Sequence, residues 1–204
     1  MKSPAPHPRS AIGQSVTTTA PGQKPGPSPA APEPRILLLG LGNDLLSDDA
    51  VGLRVVAEAR RLLAPVPNIT VLETSEMGLA LLDFVVGYDE LVLVDSIQTG
   101  KAPAGCVHEI DGLDLRALPA VSPHFLGVGE VLALGRELGM AVPRRVRIFA
   151  VEVADPFTMG TEMTPALQAA FAGVVQKVVT ALLGAAGGIA PHGRAGSEQV
   201  RLAD

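Results

Sequence analysis

The chain has 204 residues, 47% of them apolar and only 3% aromatic, and carries a formal charge of −5. That length suits one domain, with a sizeable core built from Leu, Val, Ala and Ile rather than rings. Mild acidity without a dense Lys/Arg run excludes a generic nucleic-acid footprint, and the lone Cys106 excludes a disulfide framework or a Cys-rich zinc site.

Residues 1–34 are dominated by Pro, Ser, Ala, Gly and Thr. They show no apolar periodicity and read as a disordered or polyproline-like extension. Lys2 and Arg9 have no apolar segment behind them, so no secretory signal is expected. No run approaches the roughly 18 apolar residues of a membrane span, and a soluble cytoplasmic protein without a membrane partner is expected. "RILLLGL" (35–41) reads as a strand buried on both faces. Asp48 or Asp49 can cap the helix that follows, in which Val51, Val55, Ala59 and Leu62 recur at helical spacing.

"NITVLET" (68–74) is a second strand, "MGLALLDFVVG" a short helix ended by Gly87, and "ELVLVDSI" (90–97) a third strand, apolar until Asp95. "GCVHEID" (105–111) reads as an edge strand. "HFLGVGEVLALGRELG" (124–139) is a helix opening after Pro123, and "RRVRIFAVEV" (144–153) another strand. "TPALQAAFAGVVQKVVTALL" (164–183) is a final helix with Pro165 in its first turn, and residues 184–204 read as a flexible tail. Alternation of strand and helix over 35–183 predicts one α/β domain, a three-layer sandwich with a mostly parallel sheet between helices. Ligands of such folds lie beyond the carboxyl ends of the strands.

Chemistry-bearing residues fall at that rim. The loop after the first strand delivers Asp48 and Asp49, the third strand ends on Asp95, and a later helix begins at His124. Two carboxylates and an imidazole suit a borderline divalent ion such as nickel or zinc with open positions. The same trio can instead share protons as acid–base machinery. Each member also has a plainer reading. Asp48 is most simply a helix N-cap, Asp49 can complement the helix dipole, and His124 can be a satisfied half-buried histidine. Asp95 is more telling, because a carboxylate closing an apolar strand costs several kcal/mol unless it is paired or solvated. Asn43, after the tight turn at Gly40 and Gly42, can hold the Asp49 arm through its side chain. His108 reads as structural or exposed, and His7 and His192 lie in the tails. Cys106 lacks the rest of a nucleophilic arrangement, and no G-x-S-x-G elbow, HExxH helix, Walker lysine or paired CxxC occurs.

Four blocks in order, "LLLGLGNDLLSDDAVG", "LVLVDSI", "VSPHFLG" and "VEVADPFTMGTEMTPAL", resemble the hydrogenase maturation proteases. These are endopeptidases that process the large subunit of nickel–iron hydrogenases. The resemblance implies a twisted sheet between helices and removal of a short C-terminal extension from a large-subunit precursor. It carries the family's metal-contacting residues onto Asp49, Asp95 and His124, which then serve as both metal and catalytic residues. The nickel is implied to be already installed in the precursor, with no organic cofactor, and the enzyme is expected to act as a monomer. The first-loop acid, often glutamate in the family, is here Asp49, and "ETSEMG" stands where many relatives have a "GGT"-like turn. Two other readings remain open at this level: a non-catalytic nickel-dependent chaperone for the same precursor, and a small nucleotide binder. The carboxylates after Gly42 disfavour the latter, since they would repel a pyrophosphate at the helix N-terminus.

Overall fold

The computed structural model describes residues 33–112 and 127–186. The readings placed on residues 1–32, on His124 with the start of its helix, and on the tail beyond 186 lie outside the described residues. Within them the chain forms β1 (Ile36–Leu41), α1 (Val51–Leu63), β2 (Ile69–Thr74), α2 (Leu82–Val85), β3 (Glu90–Ile97), β4 (Val107–Asp111), α3 (Val128–Glu137), β5 (Arg145–Glu152) and α4 (Pro165–Ala186). The strands make one five-stranded sheet in the order β2-β1-β3-β5-β4. All neighbours are parallel except β4, which runs antiparallel to β5 on the edge.

The apolar strands are buried because both faces of the sheet are covered. Side chains alternate across a strand, and β1 splits accordingly. Leu38 joins Val92, Val94, Phe149 and Val151 beneath α1 and α4. Leu37 and Leu39 join Leu91, Leu93 and Ile148 beneath α2 and α3. Each such Leu, Val or Ile taken from water contributes roughly 1.5–3 kcal/mol. β4 alternates between half-buried and exposed positions, as the edge reading expects.

Several expectations shift in detail. Along α1 the buried repeat is Val51, Val55, Ala59 and Leu63, whereas Leu62 is 52% exposed. Four residues after Ala59 comes Leu63, and the i, i+4 spacing wins over the i, i+3 choice. The segment read as a single short helix divides into a 3-10 turn, Gly78–Leu81, and the four-residue α2. α4 continues to Ala186, past the point where the tail was expected to begin.

α4 also corrects the expectation about apolar runs. Pro165–Gly184 spans 20 residues of mean hydropathy 1.6, long and apolar enough by composition to cross a membrane. Here its Leu167, Val174, Val178 and Leu182 lie in the core beside α1. Its opposite side carries Gln168, Gln176, Lys177 and Thr180, all exposed.

α1 sits unusually close to the sheet. A β-carbon added at Gly52 would overlap the carbonyl oxygens of Leu41 and Val94, and one at Gly40 would overlap Val56 and the Gly52 carbonyl. This close approach brings the start of α1, and the loop before it, onto the ends of β1 and β3. Gly52→Ala should therefore force α1 outward, because the obstacle is backbone rather than a flexible side chain. The expected loss is about 2 kcal/mol in urea unfolding, against little change for Gly173→Ala, whose surroundings are open.

Candidate active site

β1 and β3 are adjacent and parallel, yet the chain leaves β1 toward β2 on one side and leaves β3 toward β4 on the other. The crevice between their carboxyl ends is thus a topological switch point, where ligands of open α/β sheets bind. Two carboxylates meet there around one serine. Ser96 donates its hydroxyl to Asp49 Oδ1 at 2.6 Å and its backbone N–H to Asp95 Oδ1 at 2.8 Å. The Asp49 Oδ2 accepts the backbone N–H of Asn43 at 3.1 Å. Asp49 is 6% exposed and Asp95 fully buried.

Asp95 is not the last residue of its strand. Its pairing with Ala150 is followed by Ser96 with Val151 and Ile97 with Glu152. The carboxylate is therefore held by the ladder itself, which fixes its direction. Asn43 does hold the Asp49 arm, but through its main chain. Its side-chain oxygen accepts the N–H of Leu45 at 3.0 Å and shapes its own loop. Gly42, at φ +152°, lies against the Asp49 carbonyl, where a β-carbon would overlap it.

Asp48 does not cap α1. The N-cap position is Ala50, without a side-chain bond, and Asp49 stands just before it, outside the first turn. Asp48 is fully buried and turns toward the segment between β5 and α4. Its carboxylate accepts the N–H groups of Ala154 (3.1 Å), Asp155 (3.0 Å) and Thr164 (2.7 Å) and the Thr164 hydroxyl (2.9 Å). Hydrogen bonds to a charged group contribute about 1.5–3 kcal/mol each, enough to offset burial. A local capping rule sees only the next few residues; these donors lie more than 100 residues away.

Two residues of the site escape sequence reasoning. Ser96 is the bridge between the acids, and the only signal is a second polar residue closing an apolar strand. Glu152, with a side chain 1% exposed, closes β5 on the same rim. It accepts the N–H groups of Thr99 and Gly100 at 2.8 Å each, the Thr99 hydroxyl at 2.8 Å, and stands 3.2 Å from His108 Nε2. Burial raises its pKa, but the Thr99 hydroxyl, the two N–H groups and His108 together outweigh burial and hold it below its ordinary value. His108 is thus a structural partner of Glu152, in line with its sequence reading. Asp155 is likewise held low by the Thr158 side chain and by the N–H groups of Thr158 and Phe157. Among the described residues no group of three or more His, Cys, Asp or Glu is gathered to hold a metal. Of the expected trio, Asp49 and Asp95 each bond Ser96, one through its hydroxyl and the other through its backbone N–H, while His124 lies outside the described residues.

A family model described as hydrogenase maturation protease matches residues 53–181. The Escherichia coli K12 hydrogenase 2 maturation protease is 30% identical over 151 residues, covering 72% of this chain and 90% of that protein. The chain belongs to the hydrogenase maturation protease family. It is an endopeptidase fold by structure as well. The solved hydrogenase maturating endopeptidase HybD of E. coli superposes with a TM-score of 0.61 at 27% identity, over 74% of this chain and 93% of that one. The hydrogenase expression/formation protein HupD of Rhizobium leguminosarum is 29% identical, over 77% of both chains. The three-layer α/β reading and the family resemblance thus both hold. The model match begins within α1, so it takes in Asp95 but not the loop that carries Asp49.

The maturation-protease site yields two expectations. Asp48→Ala strands three backbone donors and should lower unfolding stability by about 3 kcal/mol, while Asp49→Asn, an isostere at the rim, should cost under about 1 kcal/mol; parallel urea titrations compare them. Glu152, with its depressed pKa, stabilises the fold above the unfolded value near 4.5 and loses that contribution as pH falls through the folded value. Glu152→Gln should therefore flatten the acid side of the stability curve below pH 4.5, read as thermal midpoints across pH.

Proposed function

We propose that this maturation protease removes the C-terminal extension of a nickel–iron hydrogenase large-subunit precursor once nickel is installed. In this reading Asp49, Asp95 and His124 engage that nickel, which arrives as part of the substrate. The single observation that supports it is the convergence of Asp49 and Asp95 on Ser96 at the switch point of the sheet. Two fixed carboxylates offer hard oxygen ligands, and a pair of them leaves coordination positions for ligands the precursor already supplies. An imidazole from His124 would complete an acid–acid–imidazole set. A nickel ion so positioned can polarise a nearby peptide carbonyl.

The substrate-borne nickel then acts as a check on completion, because a precursor without it offers the carboxylates no cation. Membership in a protease family weighs against the non-catalytic chaperone reading. The segment after β2, with Glu76 and Met77 exposed on the same rim, is positioned to meet the precursor and to discriminate among hydrogenases.

Incubating the purified protein with nickel-loaded and nickel-free precursor, followed by intact mass, tests this directly. The loaded precursor should lose its C-terminal peptide and the nickel-free one should remain whole. Asp95→Asn and His124→Ala should each slow processing by about 100-fold or more with thermal midpoints near wild type. Full processing by both variants would overturn the site assignment.

A further inference from the structure

The loop between β1 and α1 and the segment between β5 and α4 lie against one another as a short antiparallel pair. Leu46 bridges Met159, Ser47 N–H donates to the Thr158 carbonyl at 3.0 Å, and Gly160 N–H donates to the Leu45 carbonyl at 3.1 Å. Three large apolar side chains stand out from this pair into water: Leu45 is 62% exposed, Phe157 72% and Met159 79%. Scattered apolar residues at a surface are ordinary. These three differ because their backbone is fixed from several sides. Asp48 clamps Ala154, Asp155 and Thr164 from beneath. The Asp155 carboxylate accepts the N–H groups of Phe157 (3.1 Å) and Thr158 (3.0 Å), and Pro156 between them is buried. A rigid backbone cannot fold such side chains away, and it presents them to a partner at little entropic cost.

The charge carried by the two segments themselves is of one sign. Residues 42–50 and 153–164 include Asp44, Asp48, Asp49, Asp155 and Glu162 and no Lys, Arg or His. A cation from outside these segments, Arg54 of α1, donates to the Thr161 carbonyl. The loop that carries Leu45 is also tied to the acids of the site. Leu45 N–H bonds the Asn43 side chain, and Asn43 N–H bonds the Asp49 carboxylate. An endopeptidase must grip its polypeptide beside the bond it cuts, since positioning the reacting groups supplies much of the rate.

We propose that Leu45, Phe157 and Met159 form the docking surface for the polypeptide substrate, and that the docked stretch carries apolar and basic side chains. The proposal rests on the endopeptidase reading of the Asp49–Asp95 site. An acidic rim around an apolar centre attracts a basic, apolar stretch and repels an acidic one.

The test uses the full chain with nickel-loaded large-subunit precursor as probe, and processing rates measured by intact mass across precursor concentrations. A Leu45→Ser/Phe157→Ser/Met159→Ser variant should raise KM about tenfold or more, keep kcat within about twofold, and melt near the wild-type temperature because all three side chains are exposed. An unchanged KM overturns the proposal. So does a wild-type dimer in sedimentation that the triple variant dissociates, for the patch would then join two copies of this chain. A second variant, Asp44→Lys/Glu162→Lys, removes the dependence on the triple variant's folding. Its KM should rise about threefold or more at low salt, with the difference shrinking at high salt; equal KM at low salt overturns the charge argument and the proposal with it. If the wild type leaves the precursor uncut, the endopeptidase reading fails separately. Binding of the uncut precursor to wild type and triple variant, by interferometry, then decides the docking surface: about tenfold weaker binding by the variant supports it, and equal binding overturns it.

Discussion

The site depends on the Asp48 carboxylate, which is fully buried and takes hydrogen bonds from Ala154, Asp155 and Thr164. A buried anion without donors would neutralise or unfold its surroundings. With four donors it becomes a knot that ties the loop before α1 to the segment before α4. That knot sets the direction in which the next residue, Asp49, faces the crevice. The neighbouring acids thus differ: Asp48 ties the two segments together, and Asp49 accepts the Ser96 hydroxyl.

Around the knot, rim segments are fastened to their neighbours as well as to themselves. Gln98 reaches the Ala154 carbonyl at 2.8 Å, Ser47 Oγ donates to the Glu162 carbonyl at 2.5 Å, and Glu152 gathers the turn at Thr99 and Gly100. Groups held in advance by such bonds need no reorganisation when a ligand binds, which would otherwise consume affinity. Ser96 serves the same end at the centre, where one residue orients both carboxylates. Glycine makes the arrangement possible by letting α1 touch the backbone of β1 and β3 at Gly40 and Gly52.

Acidic and apolar character coexist on this rim for related reasons. The buried acids are satisfied by backbone donors, which freezes the backbone. The frozen backbone then keeps Leu45, Phe157 and Met159 exposed instead of letting them collapse inward. The placement of the acids and the exposure of these apolar side chains therefore rest on the same hydrogen bonds.

By itself the sequence determined the alternation of elements, the buried parallel strands, the edge strand and the family, while the antiparallel sense of that edge came from the structure. Continuous apolar runs such as Ile36–Leu41 can be buried only when helices cover both faces. Tertiary structure decided what each acid does. Asp48 looked like a cap because local rules weigh only near neighbours, whereas its partners come from residues 154–164. Ser96 and Glu152 were invisible for the same reason: a lone polar residue in a strand has no meaning until the sheet order sets it beside its partner. The periodicity that reveals a fold is local, but the hydrogen bonds that assign roles cross the chain.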